Sequence, residues 1–122
     1  MFDNLKSLGA LAGLMKNKEK LREAGDRVRA KMEATKVIGE AGSGAARAVA
    51  TGTMRILEVE LASGLIMGMA ADEKTRLLAS GLIAEAVNEA LRRAQLAMKE
   101  AMEEEARALG LDGVPGLENL LG

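Results

Sequence analysis

The chain has 122 residues, which suits one domain with a modest core, and 48% of them are hydrophobic. It contains no Cys and no His, which excludes disulfides, thiol chemistry and the usual general base near neutral pH. The net charge of −1 argues against a simple polyanion binder.

A long helix is predicted over residues 5–34. Leu21 and Val28 lie seven positions apart and Met32 follows four later, so they share one face of a helix. Leucines at spacings of three and four begin the same apolar stripe nearer the N-terminus.

Three short strands are predicted over residues 36–61. The runs "KVIGEA", "AARAVATG" and "TMRILEVEL" carry β-branched residues and are separated by the turn sequences "GSG" and "TGT". Two short turns that join three strands give an antiparallel meander. In the third run, apolar residues alternate with Glu58 and Glu60, a pattern typical of a strand with one face on a core.

The segment "VIGEAGSGAA" places three glycines within six residues and raises the question of a phosphate-binding loop. A P-loop needs a Lys, a Ser or Thr and an immediately following helix, and a dinucleotide loop also needs a βαβ unit. Here Ala45 and Ala46 follow Gly44, where the Lys and the Ser or Thr of a P-loop would stand, and a strand pattern follows in place of a helix. The sequence therefore predicts a hairpin turn at residues 42–44, with Gly39 at a bulge or a close backbone approach.

Residues 62–71 are predicted to form an apolar connecting loop, and a second long helix is predicted over residues 72–109. Asp72 has the character of its N-cap and Gly110 that of its C-terminal cap. The expected fold is a single α+β domain over residues 1–110: N-terminal helix, three-stranded antiparallel meander, long C-terminal helix. Residues 111–122 are expected to form a flexible tail.

The apolar residues themselves favour an oligomer. The chain has no Trp and no Tyr, one Phe and eight Met, and Ala and Leu supply most of the rest. Small side chains bury little area per residue, so a chain of this size gains stability by sharing its core in a homodimer. No apolar run reaches the roughly 20 residues of a membrane span and no signal peptide is visible, which favours a soluble cytoplasmic protein.

No arrangement of residues predicts catalysis. Nucleophilic triads need a base, and His is absent. Glu58 and Glu60 have the pattern of a solvated strand face, and residues 103–105 form an acidic run late in the second helix. Carboxylates at these spacings do not suggest a metal site. The sequence predicts no enzyme, no cofactor and no metal.

Charge is unevenly distributed along the chain. Residues 1–55 hold 11 Lys and Arg against 6 Asp and Glu, a balance of +5, whereas residues 56–122 hold 6 against 12, a balance of −6. Basic side chains of the first helix can neutralise DNA phosphates without reading sequence. The alternative is an ordinary solvated helix face with local ion pairs. The predicted DNA contacts are Lys16, Lys20, Arg27 and Lys31, which line one face, and Lys18, Arg22 and Arg29, which broaden it.

The whole pattern resembles the YbaB/EbfC family of nucleoid-associated proteins over about residues 1–109. The resemblance lies in the opening "MFDNLKSLGALAGLMKN", the helix "RVRAKMEA", the hairpin "VIGEAGSGAARAVATG", the strand "ILEVEL" and the helix "LIAEAVNEALRRAQ", where Asn88 stands on the family's characteristic Asn. It implies a tweezer-like α+β homodimer in the bacterial cytoplasm and nucleoid. It also implies a protein that binds double-stranded DNA with low or broad sequence specificity and is not an enzyme.

A second hypothesis comes from another class of function. In this reading the chain is a protein-interaction module, and its apolar segment 64–71 and Met-bearing long helix dock a DNA-repair or replication partner.

Overall fold

The computed structural model describes the backbone of residues 2–110 and the side chains of residues 18–110. In chain order the elements are α1 (Phe2–Ala34), β1 (Lys36–Ala41), β2 (Ala46–Thr51), β3 (Ile56–Leu61), α2 (Ser63–Ala71) and α3 (Glu73–Ala108). The predicted α+β order of helix, three strands and long helix is therefore confirmed. The predicted tail, residues 111–122, lies outside the described residues.

The chain divides into two compact units. One is Ala30–Glu100, which contains the sheet, α2 and most of α3. The other combines the described part of Met1–Arg29 with that of Ala101–Gly122, and so holds most of α1 and the end of α3.

The sheet is an antiparallel meander of order β1-β2-β3. The glycine-rich turn between β1 and β2 has positive φ at Gly42 (61°), Ser43 (56°) and Gly44 (92°), which confirms the predicted hairpin turn. The register shifts between Val49 and Ala50, and the shift places Ile56 opposite Ala50. β3 is an edge strand, since in the described part of the chain only β2 pairs with it.

The core of the sheet-containing unit is built almost entirely from alanine. Ala41, Ala46, Ala48 and Ala50 of the sheet are buried together with two alanines of α3, Ala86 and Ala90. With alanine methyl groups at the centre of this contact, the helix and the sheet approach closely. The arrangement buries little apolar area, and no large side chain among the described residues is fully buried.

Gly39 marks the closest approach of β1 to α3. A Cβ atom at Gly39 would overlap the carbonyl oxygen of Ala86 and the amide nitrogen of Ala90. This is the close backbone approach that the sequence predicted as one of two roles for this glycine.

The segment predicted as an apolar loop is helical. Residues Ser63–Ala71 form α2, which begins with the amides of Leu65 and Ile66 bonded to the Ala62 carbonyl. The loop prediction was wrong because short apolar runs carry no decisive periodicity, and Leu, Met and Ala are good helix formers. None of its side chains is buried.

Both predicted caps of α3 are present. The Asp72 carboxylate accepts hydrogen bonds from the Lys74 amide (3.0 Å) and the Thr75 hydroxyl (3.2 Å), as an N-cap does. Gly110 has φ 71° and donates its amide to the carbonyl of Arg107, which ends the helix in the left-handed conformation.

Candidate nucleic-acid interface

All seven predicted DNA contacts lie on α1, and the structure describes six of their side chains. Lys18, Lys20, Arg22, Arg27 and Arg29 belong to the unit that holds most of α1 and are all exposed. Lys31 belongs to the sheet-containing unit, and the side chain of Lys16 lies outside the described residues.

The five side chains do not form one surface. At 3.6 residues per turn, each residue advances about 100° around the helix. Lys20 and Arg27 therefore lie within about 20° of each other; we call them the Arg27 row. Lys18, Arg22 and Arg29 form the Arg29 row, roughly on the opposite side of α1. At this spacing Lys18, Arg22 and Arg29 lie on a different side of α1 from Lys20 and Arg27, and their role as DNA contacts stays a prediction.

Buried and acidic residues separate the two rows. Ala24 and Val28 are 0% and 4% exposed and lie between the rows on the inward side. Glu19, Glu23 and Asp26 are exposed and lie between them on the outward side. A long polyanion laid along the outward side of α1 would therefore meet carboxylates first.

Arg27 is engaged by the end of α3. Its Nε donates to Glu105 Oε1 at 3.2 Å and its Nη2 donates to Glu105 Oε2 at 3.0 Å. The two bonds form a bidentate ion pair within one unit. The pKa of Arg27 is raised, first by the hydrogen bond to Glu105. This pair explains one member of the acidic run at residues 103–105, and sequence reasoning missed it because 78 positions separate the partners.

The Arg29 row has no such partner. Among residues 18–110, Lys18, Arg22 and Arg29 make no ion pair, and all three are exposed. Lys20 of the other row is likewise without an ion pair in this part of the chain. Among the side chains of α1 that the structure describes, four cations therefore lack an ion-pair partner in residues 18–110.

Three arginines of the sheet-containing unit are matched with carboxylates. Arg47 lies 3.4 Å from Glu60, its cross-strand partner. Arg92 and Arg93 both bond to Glu89, and together they lower the pKa of Glu89 to about 2, Arg92 contributing most. Arg93 also donates to the Ile38 carbonyl of edge strand β1 at 2.9 Å.

A cleft of about 570 Å³ lies beside Arg93. Three of its five lining residues are carboxylates, namely Glu40, Glu85 and Glu89, with Ile38 and Arg93 completing it. An anionic ligand would be repelled there, so the cleft is not a phosphate site.

On β3, Glu58 and Glu60 lie two positions apart on one strand face. A hydrogen bond to Glu60, reinforced by charge repulsion, raises the pKa of Glu58. The pair is exposed, as the alternation in the sequence predicted for the polar side of the strand.

The described residues contain no group of three or more acidic, His or Cys side chains arranged to hold a metal ion. Within the same part of the chain, no helix combines the length and apolar character that crossing a bilayer requires.

The order of helix, three-stranded meander and long helix defines a small α+β protein, and its first helix carries exposed cations. A model of the YbaB/EbfC DNA-binding family matches residues 8–109, and the chain belongs to this family. The sequence-based resemblance is thereby confirmed.

Among solved structures, the chain is similar to the crystal structure of the uncharacterized protein HP0035 from Helicobacter pylori. The two are 16% identical with a TM-score of 0.43, and the match covers 84% of this chain and 96% of that one.

Proposed function

We propose that the protein is a non-catalytic, homodimeric component of the nucleoid that binds duplex DNA mainly through its phosphates, with low or broad sequence specificity. The observation that carries the proposal is the set of exposed cations on α1 that lack ion pairs, in a chain of a DNA-binding family. Lys and Arg side chains that neutralise phosphates give affinity without sequence readout.

The composition supports duplex binding over single-strand recognition. Unstacked bases are bound mainly by aromatic side chains, and Phe2 is the only aromatic residue of the chain. A helix that presents Lys and Arg to the backbone of a double helix needs no aromatic residue.

The homodimer is supported by where the large apolar side chains lie. Alanines fill most of the core of the sheet-containing unit, while several of its larger apolar residues are exposed. The exposed large apolar side chains are Met54, Leu57, Val59, Ile66, Met67, Leu77, Leu78 and Leu96. Several of them are more than half exposed, including Met67 at 73% and Leu77 at 70%.

A second copy of the chain is the occupant we propose for this apolar surface. Leu57 and Val59 lie on β3, whose outer edge has no neighbouring strand within residues 2–110. Apolar side chains beside an unpaired strand edge make a monomer prone to aggregation. A second copy that covers the edge and these side chains removes them from solvent.

DNA binding is tested by fluorescence anisotropy with two unrelated 30-base-pair duplexes at low salt. We expect both duplexes to bind with similar affinity. If neither duplex binds, the proposed DNA binding is contradicted. If one duplex binds much more tightly than the other, the proposed low specificity is contradicted.

A further inference from the structure

We infer that the Arg29 row, Lys18, Arg22 and Arg29, makes the phosphate contacts, and that the Arg27 row does not. The inference rests on the proposed DNA-binding function and narrows it to one side of α1.

The ion pair with Glu105 withdraws Arg27 from DNA binding. Its guanidinium already uses two of its donors on two carboxylate oxygens, the arrangement that a phosphate would otherwise take. A phosphate that approached Arg27 would have to displace Glu105 and would meet the repulsion of that carboxylate.

The orientation of α1 within its unit favours the same row. Arg27 lies on the side of α1 that the end of α3 reaches, since its guanidinium bonds to Glu105 there. Lys20 lies within about 20° of Arg27 around the helix and so faces the same side. The Arg29 row lies roughly opposite and makes no ion pair with the described part of α3.

The Arg29 row also has a suitable length. At 1.5 Å rise per residue, Lys18 and Arg22 are separated by about 6 Å along the axis, and the whole row spans about 16 Å. Phosphates of one strand follow each other at about 3.4 Å along the duplex axis, so the row reaches several of them.

The acidic residues between the Arg27 row and the Arg29 row prevent one duplex from contacting both rows at the same time. Glu19, Glu23 and Asp26 lie on the outward side of α1, between the two rows. A duplex that contacted both rows across this side would press its phosphates against three carboxylates. One row must therefore make the contacts.

A matched pair of substitutions tests the inference. Lys18→Gln and Lys20→Gln remove the same charge from exposed sites two positions apart, on opposite sides of α1. The readout is the slope of log K for a duplex against log salt concentration, which changes by about 0.9 for each phosphate that the protein ceases to neutralise. We expect Lys18→Gln to make the slope shallower by about this amount per bound protomer, and Lys20→Gln to leave it unchanged.

Two double variants extend the test. Arg22→Gln with Arg29→Gln should make the slope shallower by about 1.8 per bound protomer. Arg27→Gln with Glu105→Gln, which leaves the net charge unaltered, should keep the wild-type slope. Circular dichroism melts check that each variant folds.

The inference is overturned if Lys20→Gln or the Arg27–Glu105 double variant weakens the salt dependence as much as Lys18→Gln does. In that outcome the wild-type protein still binds DNA and the proposed function stands. Absence of wild-type binding at low salt would overturn the proposed function, and this inference with it.

Discussion

A Cβ atom added to Gly39 would lie 2.9 Å from the Cα of Ala90 and closer still to the backbone atoms beside it. β1 and α3 therefore meet backbone to backbone at this point, and no flexible side chain is available to move aside. Gly39→Ala should lower the free energy of unfolding by about 3 kcal/mol or more, since overpacking against backbone must shift a whole element. Urea unfolding followed by circular dichroism measures the destabilisation.

Gly81 provides the matched control, because it lies within α3 and a Cβ there would meet nothing within 4 Å. Gly81→Ala should raise the free energy of unfolding by up to about 1 kcal/mol through helix propensity. Equal effects of the two substitutions would show that the strand and the helix are not in backbone contact.

The exposed apolar side chains of the sheet-containing unit predict that the protein is a dimer in solution. Leu77 is 70% exposed, so Leu77→Glu removes nothing from the core of the single chain. It should weaken association by placing a charge in an apolar interface. Sedimentation velocity over a range of concentrations measures the dissociation constant, which we expect to rise at least tenfold.

Gln95→Glu, which adds the same single negative charge at an exposed site of α3, is the control for Leu77→Glu. If Leu77→Glu is too unstable to study, the wild-type melting temperature gives a second test. It should rise with protein concentration for a dimer. A wild-type monomer at high concentration would contradict the homodimer.

The pairing of Glu89 with two arginines predicts a pH-dependent contribution to stability. The pKa of Glu89 in the folded protein is lowered to about 2 from an ordinary value of 4.5. A lowered carboxyl pKa stabilises the fold above the unfolded-state pKa, and this contribution fades as the pH falls toward 2. Glu89→Gln should therefore be less stable than wild type at pH 7, by an amount that shrinks between pH 5 and pH 2.

Glu85→Gln is the control for this prediction, since Glu85 lies on the same helix and makes no ion pair within residues 18–110. Chemical unfolding at several pH values provides the comparison. A stability difference for Glu89→Gln that stays constant across this range would show that the arginine pairing does not form in solution.

Glu58 should make stability depend on pH in the sense opposite to that of Glu89. Its pKa is raised by the shared hydrogen bond with Glu60 and by repulsion, so the ionised form is disfavoured in the folded protein. A raised carboxyl pKa means that the stabilisation is present at low pH and is lost as the pH rises through the folded-state value. Glu58→Gln should therefore stabilise the protein at pH 7 and have no effect below about pH 4, as measured by urea unfolding. A gain that persists at low pH would contradict the repulsion.

The elements with local signals were predictable from the sequence. Hydrophobic periodicity predicted α1 and α3, and the turn residues predicted the meander. Single residues were enough to predict the Asp72 cap and the turn at Gly42, where φ is positive. α2 was missed because nine mainly apolar residues fit a buried loop, a strand or a helix equally well.

The candidate site was predictable only in part. The separation of α1 cations into two rows follows from their spacing alone, at about 100° per residue. The spacing does not show which side of α1 faces α3, and it does not identify the partner of Arg27. Glu105 lies 78 positions away, and only tertiary structure brings the two side chains together.

The central claim, that cations of α1 bind DNA phosphates, is tested most directly by the salt dependence of duplex binding. If each protomer of a dimer engages three phosphates, log K should fall against log salt with a slope of about −5. Affinity should then drop on the order of 1,000-fold between 50 and 200 mM salt. A slope near zero, or no binding at 50 mM salt, would contradict the account.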